Sequence, residues 1–287
     1  MIDLHLHTTA SDGCDMPDAL VARMAAAGIR LFAVTDHDTV AALPAVAAAA
    51  ARAGLASLSG IEVTAIERGR DVHVLAYGFD EHDPKLADFL AAQRASRLER
   101  LEAMAARLAA LGMPIDIEPL LVLQQTGRGR AVGRAHVARL LVSANHVRSV
   151  DEAFEEWLLP GRPAFVPRRG PSVRDVVRHI AAAGGITSLA HPGLLRDDTW
   201  VAELMESGVA AIEAFHSEHD EAATHRYLEL ARRRGLAVSG GSDFHGAEAN
   251  RARPLGGVSL PSEHYATLRE RADSTESRSR WPVPRFP

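Results

Sequence analysis

Histidine and carboxylate residues recur at short, regular spacings in this chain, and their types suit divalent metal ions. His5 and His7 are separated by one residue near the N-terminus, and Asp243 and His245 have the same spacing near the C-terminus. Imidazole and carboxylate ligands favour Zn²⁺, Mn²⁺ or Fe²⁺, whereas a structural zinc site usually contains cysteine thiolates. The pattern therefore predicts a metal site assembled from both ends of the chain.

Further candidate ligands lie between these two pairs, each in or just after a predicted strand. They are His37, Glu62, His73 and His191. A single histidine at a strand end is more often a hydrogen-bonded structural residue than a metal ligand. Because these residues occur together with the His-x-His and Asp-x-His pairs, a metal site is favoured over isolated structural histidines.

The candidate ligands can meet only if the strands that carry them converge. Seven short apolar segments predict strands at residues 2–7, 31–35, 58–66, 72–79, 185–190, 210–215 and 236–239. Each is followed by a helix-like segment, which predicts parallel strands wrapped by helices, and seven strands suit a barrel-like closure. The C-terminal ends of such strands meet at one mouth, so the candidate ligands would share one pocket.

Capping signals predict where several helices begin and end. Asp15 and Pro17 predict the start of one helix, and Ser172 with Asp175 resembles a capping box at the start of another. A helix over 220–234 is predicted to end at the glycine that follows it.

The alternation of strand and helix fails in the middle of the chain. Residues 94–111 and 134–143 predict helices without an intervening strand. We therefore predict a helical cap over 94–167, inserted into a barrel formed by 1–93 and 168–273. The tail 274–287 is rich in Ser, Arg and Pro and is predicted to be poorly ordered.

The predicted cap is basic, although the whole chain has a net charge of −5. From Arg94 to Arg148 there are nine arginines and four acidic residues. This balance suits an anionic substrate. For any single arginine, the alternative is a solvated helix face.

Composition excludes several other classes of protein. The negative net charge argues against non-specific binding to long nucleic acid, and no segment has the roughly 20 apolar residues of a membrane-spanning helix. The N-terminus lacks a signal-peptide pattern, so we expect a cytoplasmic protein.

The chain has one cysteine, Cys14, which rules out an intrachain disulfide and a Cys-rich zinc site. Cys14 has no nucleophile motif around it and is interpreted as a bystander thiol. The sequence does not specify an oligomeric state.

The motifs resemble those of the polymerase and histidinol phosphatase (PHP) family, a group close to the amidohydrolases. The matching segments are Asp3-Leu4-His5-Leu6-His7 with Ser11-Asp12-Gly13, Val34-Thr35-Asp36-His37-Asp38, Gly60-Ile61-Glu62-Val63, Val72-His73-Val74, Ala190-His191-Pro192-Gly193 and Gly241-Ser242-Asp243-Phe244-His245. They follow the order of the family over almost the whole chain.

This resemblance implies a distorted seven-stranded (β/α) barrel with two or three divalent metal ions, Mn²⁺ foremost and Fe²⁺ or Zn²⁺ as alternatives. Carried over by motif, the ligands of the first ion are His5, His7, Glu62 and Asp243. Those of the second are Glu62, His73 and His191, and those of the third are Asp12, His37 and His245. Several family members have histidine where this chain has Asp12, a departure that bears on occupancy of the third site.

The same resemblance extends to the cap. Gly133-Arg134-Ala135-His136 and Gly161-Arg162-Pro163 resemble cap segments of the branch that hydrolyses nucleoside 3′,5′-bisphosphates or the 5′ ends of small RNA. It implies that Arg134 and His136 hold a phosphate away from the metal ions. Guanidinium groups suit bidentate phosphate recognition, so the predicted substrate-binding residues also include the following arginines: Arg162, Arg94 and Arg97.

The predicted function is hydrolysis of nucleotide phosphoesters, with a small anionic nucleotide or short oligonucleotide as substrate. Metal ions would supply hydroxide at neutral pH by lowering the pKa of bound water from about 15.7 to about 7. The candidate catalytic residues are His191, His219 and Asp243. His191, His216 or His219 could protonate the leaving group, although an exposed position at the start of a helix is the alternative for His219. Asp36 is predicted either to orient His37 or to stabilise a turn.

Two other functions remain open from the sequence. One is a small-molecule phosphatase such as histidinol phosphatase, against which the basic cap argues. The other is a non-catalytic nucleic-acid-binding module with a relict metal site, against which the intact ligand motifs argue.

Overall fold

The structure is a computed structural model that describes residues 1–126, 129–246, 254–272 and 279–283. Seven strands form one sheet in the order of the sequence. They are β1 (Ile2–Asp3), β2 (Leu31–Val34), β3 (Ala56–Glu67), β4 (Arg70–Tyr77), β5 (Ile186–Leu189), β6 (Ala211–His216) and β7 (Ala237–Gly241). The predicted seven-stranded α/β barrel is therefore confirmed.

The two ends of the sheet meet, which nearly closes the barrel. The Leu4 amide donates to the Gly240 carbonyl at 3.1 Å, and Leu6 forms a parallel bridge with Phe244. Gly241 lies so close to the first strand that a Cβ there would overlap the backbone nitrogen of His5. Glycine is therefore required at this position to bring the C-terminal motif beside His-x-His.

The prediction that all strands are parallel is wrong for β4. This strand pairs antiparallel with both β3 and β5, whereas the other neighbouring pairs are parallel. Arg68 and Gly69 alone connect β3 to β4, with φ angles of 52° and 72°. A two-residue hairpin with positive φ at both positions matches the right-handed twist of the strands. No helix follows β3, contrary to the strand-then-helix prediction.

Ten α-helices lie within the described ranges. They are α1 (Pro17–Ala26), α2 (Leu43–Ala53), α3 (Pro84–Ala110), α4 (Glu118–Thr126), α5 (Arg134–Ser143), α6 (Val150–Ala153), α7 (Val173–Ala182), α8 (Asp198–Met205), α9 (Glu221–Arg234) and α10 (Ser262–Glu270). The helical elements also include a π-helical turn, Phe154–Leu158, and a 3₁₀ turn, Pro192–Leu195. None of these helices is both long and apolar enough to cross a membrane.

The helix ends agree with most of the capping predictions. Ser172 and Asp175 form the predicted capping box of α7, and Gly235 ends α9 in the left-handed conformation. Asp15 does not cap α1, because the residue before Pro17 is Met16, which makes no side-chain cap bond.

The predicted cap segment has a hydrophobic cluster of its own. Leu101 and Met104 of α3 pack there with Val137 and Leu141 of α5 and with Leu158. Helix α3 begins in the predicted barrel and continues into the cap without a break. The division of the chain at residue 94 stays a prediction.

The predicted disordered tail is described only in part. Residues 274–278 and 284–287 lie outside the described ranges, but residues 279–283 are placed against the barrel. Within them Trp281 is 2% exposed, with its ring centroid 6.4 Å from Tyr77 and 5.8 Å from Tyr265. Part of the tail is thus packed on the core.

Candidate active site

The predicted metal ligands converge at one mouth of the barrel. On β1 and its extension, Ile2, Leu4 and Leu6 alternate with His5 and His7, and all five side chains are buried. Successive side chains of an extended segment point to opposite faces, so both histidines face the same way. The remaining predicted ligands come from the elements that follow in the sheet: Asp12, His37, Glu62, His73, His191, Asp243 and His245.

Glu62 of β3 lies at the centre of the cluster. Its carboxylate oxygens are within 3.3 Å of five imidazole nitrogens: His5 Nε2 (3.3 Å), His7 Nε2 (3.2 Å), His37 Nδ1 (3.2 Å), His73 Nδ1 (2.8 Å) and His191 Nε2 (3.0 Å). Although burial opposes its ionisation, the imidazoles of His37 and His73 hold the pKa of Glu62 well below its usual range. A carboxylate in this position suits the predicted bridge between two ions.

Asp12 gathers a second group of ligands beside the first. Asp12 Oδ1 lies 3.3 Å from His245 Nε2 and 3.7 Å from His7 Nδ1, and Asp12 Oδ2 lies 3.8 Å from His37 Nε2. Although burial opposes ionisation, His245 and His37 keep the pKa of Asp12 well below its usual range. The aspartate thus stands close enough to three imidazoles to share an ion with them.

Buried ring nitrogens without a hydrogen-bond partner indicate whether this cluster fits metal ions. His7 is fully buried, yet neither of its ring nitrogens has a hydrogen-bond partner among the described residues, and the same is true of His37 Nδ1. Buried polar groups almost always have a partner, and ring nitrogens with carboxylate oxygens nearby but no hydrogen bond suit a shared cation. The donor set fits divalent metal ions.

Glu213, which the sequence reading did not assign, orients two of the predicted ligands. His5 Nδ1 donates to Glu213 Oε1 at 3.0 Å, which leaves His5 Nε2 facing Glu62. The backbone amide of His191 donates to Glu213 Oε2 at 2.7 Å. Although burial opposes ionisation, the neighbouring His5 lowers the pKa of Glu213 to about 2. The available signal was a charged residue in the middle of the apolar strand β6.

His216 also belongs to the cluster, whereas His219 does not reach it. His216 Nε2 lies 3.4 Å from Asp243 Oδ2, and its side chain groups with those of His5 and Glu213. His219 does not line the cavity at the barrel mouth. Its Nδ1 donates to the Ala214 carbonyl and its Nε2 accepts from the Gly193 amide. His219 thus lies beside the His191 turn with both ring nitrogens bonded to the backbone, and its catalytic role stays a prediction.

Asp36 stabilises a turn and makes no hydrogen bond to the His37 ring. Its carboxylate accepts from the Thr8 amide at 2.8 Å, the Thr8 hydroxyl at 2.6 Å and the Ser11 hydroxyl at 2.6 Å. Of the two predicted roles, the structure supports the turn. The bonds fix the loop that carries Asp12.

Three residues of the site have unusual backbone conformations. His191, Asp243 and Asp38 have φ angles of 25°, 53° and 50°. Non-glycine residues in this region are strained and persist where surrounding contacts hold them. The backbone is thus bent at the points where His191 and Asp243 must turn toward the cluster.

A cavity of about 180 Å³ lies over the cluster, with a wall of arginines on its cap side. The lining includes six residues of the cluster, His37, Glu62, His73, His191, Asp243 and His245, and four arginines, Arg97, Arg100, Arg134 and Arg168. Arg100 Nη2 and Arg168 Nε are buried and have no hydrogen-bond partner among the described residues. The wall therefore retains donors for an anion.

Two buried carboxylates of the barrel fix these four arginines. Asp38 Oδ2 accepts from Arg97 Nε at 2.5 Å and from Arg168 Nη2 at 3.1 Å. A second pair is held in the same way: Asp71 Oδ2 accepts from Arg100 at 3.1 Å and from Arg134 at 2.9 Å.

The pairing favours ionised carboxylates with positive charge left over. Although burial opposes ionisation, Arg134 and Arg100 lower the pKa of Asp71 to about 2. Two carboxylates thus face four guanidinium groups. The sequence reading identified Arg97 and Arg134 but missed the carboxylates and the other two arginines.

The other predicted substrate-binding residues differ in position. His136 lines the cavity, and burial lowers its pKa to about 4; its Nδ1 accepts from the Gly133 amide. Arg94 donates to the Asp38 carbonyl behind the wall and does not line the cavity. Arg162 is exposed and is likewise absent from the lining. The structure does not bring Arg94 or Arg162 to the candidate site.

The whole predicted cap is less basic than its arginine-rich part, residues 94–148. Four acids follow between residues 151 and 156, and these side chains are exposed or half-buried, outside the cavity lining. Arg128, counted in the basic segment, lies outside the described residues. The positive charge at the cavity comes from the four wall arginines.

Comparison with known proteins identifies the family. Residues 3–126 match the PHP domain model. The chain is 35% identical over 249 residues to the 3′,5′-nucleoside bisphosphate phosphatase of Chromobacterium violaceum, covering 85% of this chain and 87% of that protein. It is 34% identical over 250 residues to the 5′-3′ exoribonuclease Rnm of Escherichia coli, covering 85% and 84% of the two chains.

A third relative and a solved structure extend the likeness. The phosphoribosyl 1,2-cyclic phosphate 1,2-diphosphodiesterase of Eggerthella lenta is 36% identical over 254 residues, covering 85% of this chain and 94% of that protein. A Bifidobacterium adolescentis structure described as a metal-dependent phosphoesterase matches with a TM-score of 0.85 and 29% identity, over 96% and 97% of the two chains. With its barrel, its ligand cluster and these relatives, the chain belongs to the PHP family and is a metal-dependent phosphoesterase, a hydrolase of phosphoric esters.

Proposed function

We propose that this phosphoesterase removes the 3′-phosphate of nucleoside 3′,5′-bisphosphates, releasing nucleoside 5′-monophosphate and phosphate, and acts on the 5′ ends of short oligoribonucleotides. One observation carries the proposal: the ligand cluster and the four-arginine wall line one cavity of about 180 Å³. The cluster suits a reacting phosphate and the wall suits a second phosphate of the same molecule.

The names of the relatives support a substrate with more than one phosphate. They specify a nucleoside bisphosphate, an RNA chain and a phosphoribosyl cyclic phosphate. A ribose with two phosphate groups is common to these chemistries. A small anionic substrate of this kind is also in keeping with the predicted cytoplasmic location and with the prediction that the protein does not bind long duplex nucleic acid.

We further propose that the cluster holds two or three divalent ions, with Mn²⁺ foremost. The proposed ligand sets are those predicted from the sequence: His5, His7, Glu62 and Asp243; Glu62, His73 and His191; and Asp12, His37 and His245. When bound, such ions lower the pKa of a coordinated water to about 7 and offset phosphoryl charge.

The protein's own groups position the substrate. Arg134 and Arg97 would donate to oxygens of the second phosphate, because Asp71 and Asp38 already fix their guanidinium groups beside the cavity. Fixed donors lose less side-chain entropy on binding than mobile ones. His191 and Asp243 keep their proposed catalytic roles, since both line the cavity.

A cyclic phosphodiester is a second candidate substrate. The observation that favours it is the 36% identity to the cyclic phosphate diphosphodiesterase over 85% of this chain. The same wall would bind the phosphate outside the ring. A cyclic substrate therefore belongs in the test.

The test is phosphate release by the Mn²⁺-loaded protein from adenosine 3′,5′-bisphosphate, 5′-AMP and histidinol phosphate, with mononucleotide release from a 5′-phosphorylated RNA dinucleotide and ring opening of a phosphoribosyl 1,2-cyclic phosphate followed separately. We expect the bisphosphate to have the highest kcat/KM and 5′-AMP to react slowly, because 5′-AMP lacks the second phosphate. Turnover of histidinol phosphate alone would refute the nucleotide proposal. Turnover of the cyclic compound alone would favour the second candidate.

Asp243→Asn provides the matched inactive protein. Asp243 Oδ1 lies 3.3 Å from His5 Nε2 and 3.2 Å from His7 Nε2, so loss of its charge should remove metal and activity together. Full activity in this variant would contradict the ligand assignment.

A further inference from the structure

A second cavity, of about 300 Å³, adjoins the cavity over the ligand cluster. The two share Asp71, His73, Arg134, His191 and Leu194 in their walls. The Arg134–Asp71 ion pair stands between them, and both open onto the same pair of candidate ligands. A substrate with its reacting phosphate at the cluster can therefore extend into either cavity.

The two cavities differ in chemistry. The first has the four-arginine wall, whereas Leu159 and Phe165 of the cap line only the second, together with Arg70 and the shared Leu194. Leu159 is 39% exposed, which leaves a large apolar side chain open beside a charged site. Arg70 donates to the Leu195 carbonyl at 3.3 Å and lies over the Trp200 ring, so a phosphate here would lose hydration and gain fewer partners than on the arginine wall.

We propose that the second cavity binds the nucleobase of the substrate, while the second phosphate lies on the arginine wall; this inference rests on the proposed function. A nucleobase has an apolar face that stacks on aromatic side chains and packs against aliphatic ones. The Phe165 ring is held in place by the Arg100 guanidinium, whose Cζ lies 5.6 Å from the ring centroid. The base and the second phosphate would thus bind on opposite sides of the Arg134–Asp71 pair.

The size and continuity of the two cavities support this occupant. Pockets for small molecules typically measure roughly 300–1,000 Å³, so the first cavity of about 180 Å³ is small for a whole nucleotide. Together with the adjoining 300 Å³ the site reaches that range. A ribose bisphosphate without a base would leave the second cavity unused.

The test compares adenosine 3′,5′-bisphosphate with 1-deoxyribose 3,5-bisphosphate, which has both phosphates but no base, on the Mn²⁺-loaded enzyme. Stacking and packing of a base contribute about 1–3 kcal/mol, or about 5- to 150-fold. We expect wild type to favour the nucleoside substrate in kcat/KM by such a factor. Leu159→Ala and Phe165→Ala should lower kcat/KM for it about fivefold or more, mainly through KM, and Leu159→Ala should leave kcat/KM for the abasic substrate unchanged, because Leu159 lines only the second cavity.

Leu111→Ala is the matched control, because Leu111 is a cap leucine of similar exposure, 46%, and lines neither cavity. This variant should leave kcat/KM unchanged for both substrates. A binding readout is the affinity for AMP relative to ribose 5-phosphate, which should fall in Leu159→Ala even if Phe165→Ala perturbs the cap.

Equal kcat/KM for the two bisphosphates in wild type would overturn the base site and leave the proposed function intact. Equal losses on both substrates in the variants would do the same. Hydrolysis of neither bisphosphate by wild type would overturn the proposed function, and the base site with it.

Discussion

Two of the candidate ligand histidines are oriented by acceptors on the side of the ring remote from the cluster. His5 donates from Nδ1 to Glu213, and His245 Nδ1 lies 2.9 Å from the Asp243 carbonyl. A bond of this kind fixes the tautomer and leaves Nε2 to bind metal. At the scale of residues, metal binding thus depends on groups that do not touch the ion.

Glu213→Gln should weaken metal binding about 10- to 100-fold, the usual effect of losing such a partner. Glutamine cannot accept from both His5 Nδ1 and the His191 amide, because one of its two terminal atoms is a donor. Metal content after equilibrium dialysis measures the effect. Glu203→Gln is the control, since Glu203 is an exposed residue of α8; equal metal content in the two variants would argue against an orienting role.

Protonation of His136 should lower the stability of the folded protein in mild acid. Burial lowers its pKa to about 4; Asp12 opposes the shift, and Arg139 and Arg97 favour the neutral ring. The unfolded chain binds the proton near pH 6.5, so this contribution to stability is intact above 6.5 and falls by roughly 3 kcal/mol as the pH decreases to about 4.

Urea unfolding of wild type and His136→Gln at pH 7 and pH 4.5 measures this contribution. The loss of unfolding free energy between the two pH values should be smaller in the variant. An equal loss in both proteins would show that His136 is not the group responsible.

At the scale of elements, helices α3 and α5 present their arginines to the barrel through two carboxylates. Arg97 and Arg100 are one helical turn apart on α3, and each contacts a different aspartate of the barrel. Residues three apart share one face of a helix. The cap is therefore fixed over the mouth by the same side chains that line the cavity.

Arg134→Ala should raise KM for a nucleoside 3′,5′-bisphosphate about 10- to 100-fold, the expected effect of losing a charged hydrogen bond. Metal content should stay at the wild-type value, because the partner that holds Arg134, Asp71, is not a candidate ligand. Arg148→Ala, at an exposed cap position, is the control. A metal-depleted Arg134→Ala protein would contradict its place on the wall.

At the scale of the whole molecule, the C-terminal segment covers the barrel on a surface made by other elements. Trp281 packs between Tyr77 of β4 and Tyr265 of α10, and the Tyr265 hydroxyl donates to the Pro282 carbonyl. A Cβ at Gly78 would overlap the indole. The segment is thus part of the folded core, at a distance in sequence from everything it contacts.

Trp281→Ala should lower the free energy of unfolding by about 3–5 kcal/mol, because it leaves a large cavity against two tyrosines. The kcat of the folded enzyme should not change. Chemical denaturation measures the loss, and Val283→Ala, at a 63% exposed position, is the control. A loss of less than about 1 kcal/mol would mean that this segment is not held on the core.

The sequence alone determined the ligand types, the seven strands and the barrel, because these follow from residue chemistry and from local periodicity. His-x-His places two candidate ligands on one face of an extended segment, whatever surrounds them. Local pattern likewise predicted the basic cap helices.

Tertiary structure alone decided the direction of β4, the partners of the arginines and the role of Glu213. The Arg68-Gly69 turn reverses the chain where the pattern of apolar residues carries no directional information. Asp38 and Asp71 meet their arginines across 29 to 130 residues of chain, and Glu213 meets His5 from 208 residues away. Such contacts depend on how the closed barrel brings its strand ends together, which no local pattern encodes.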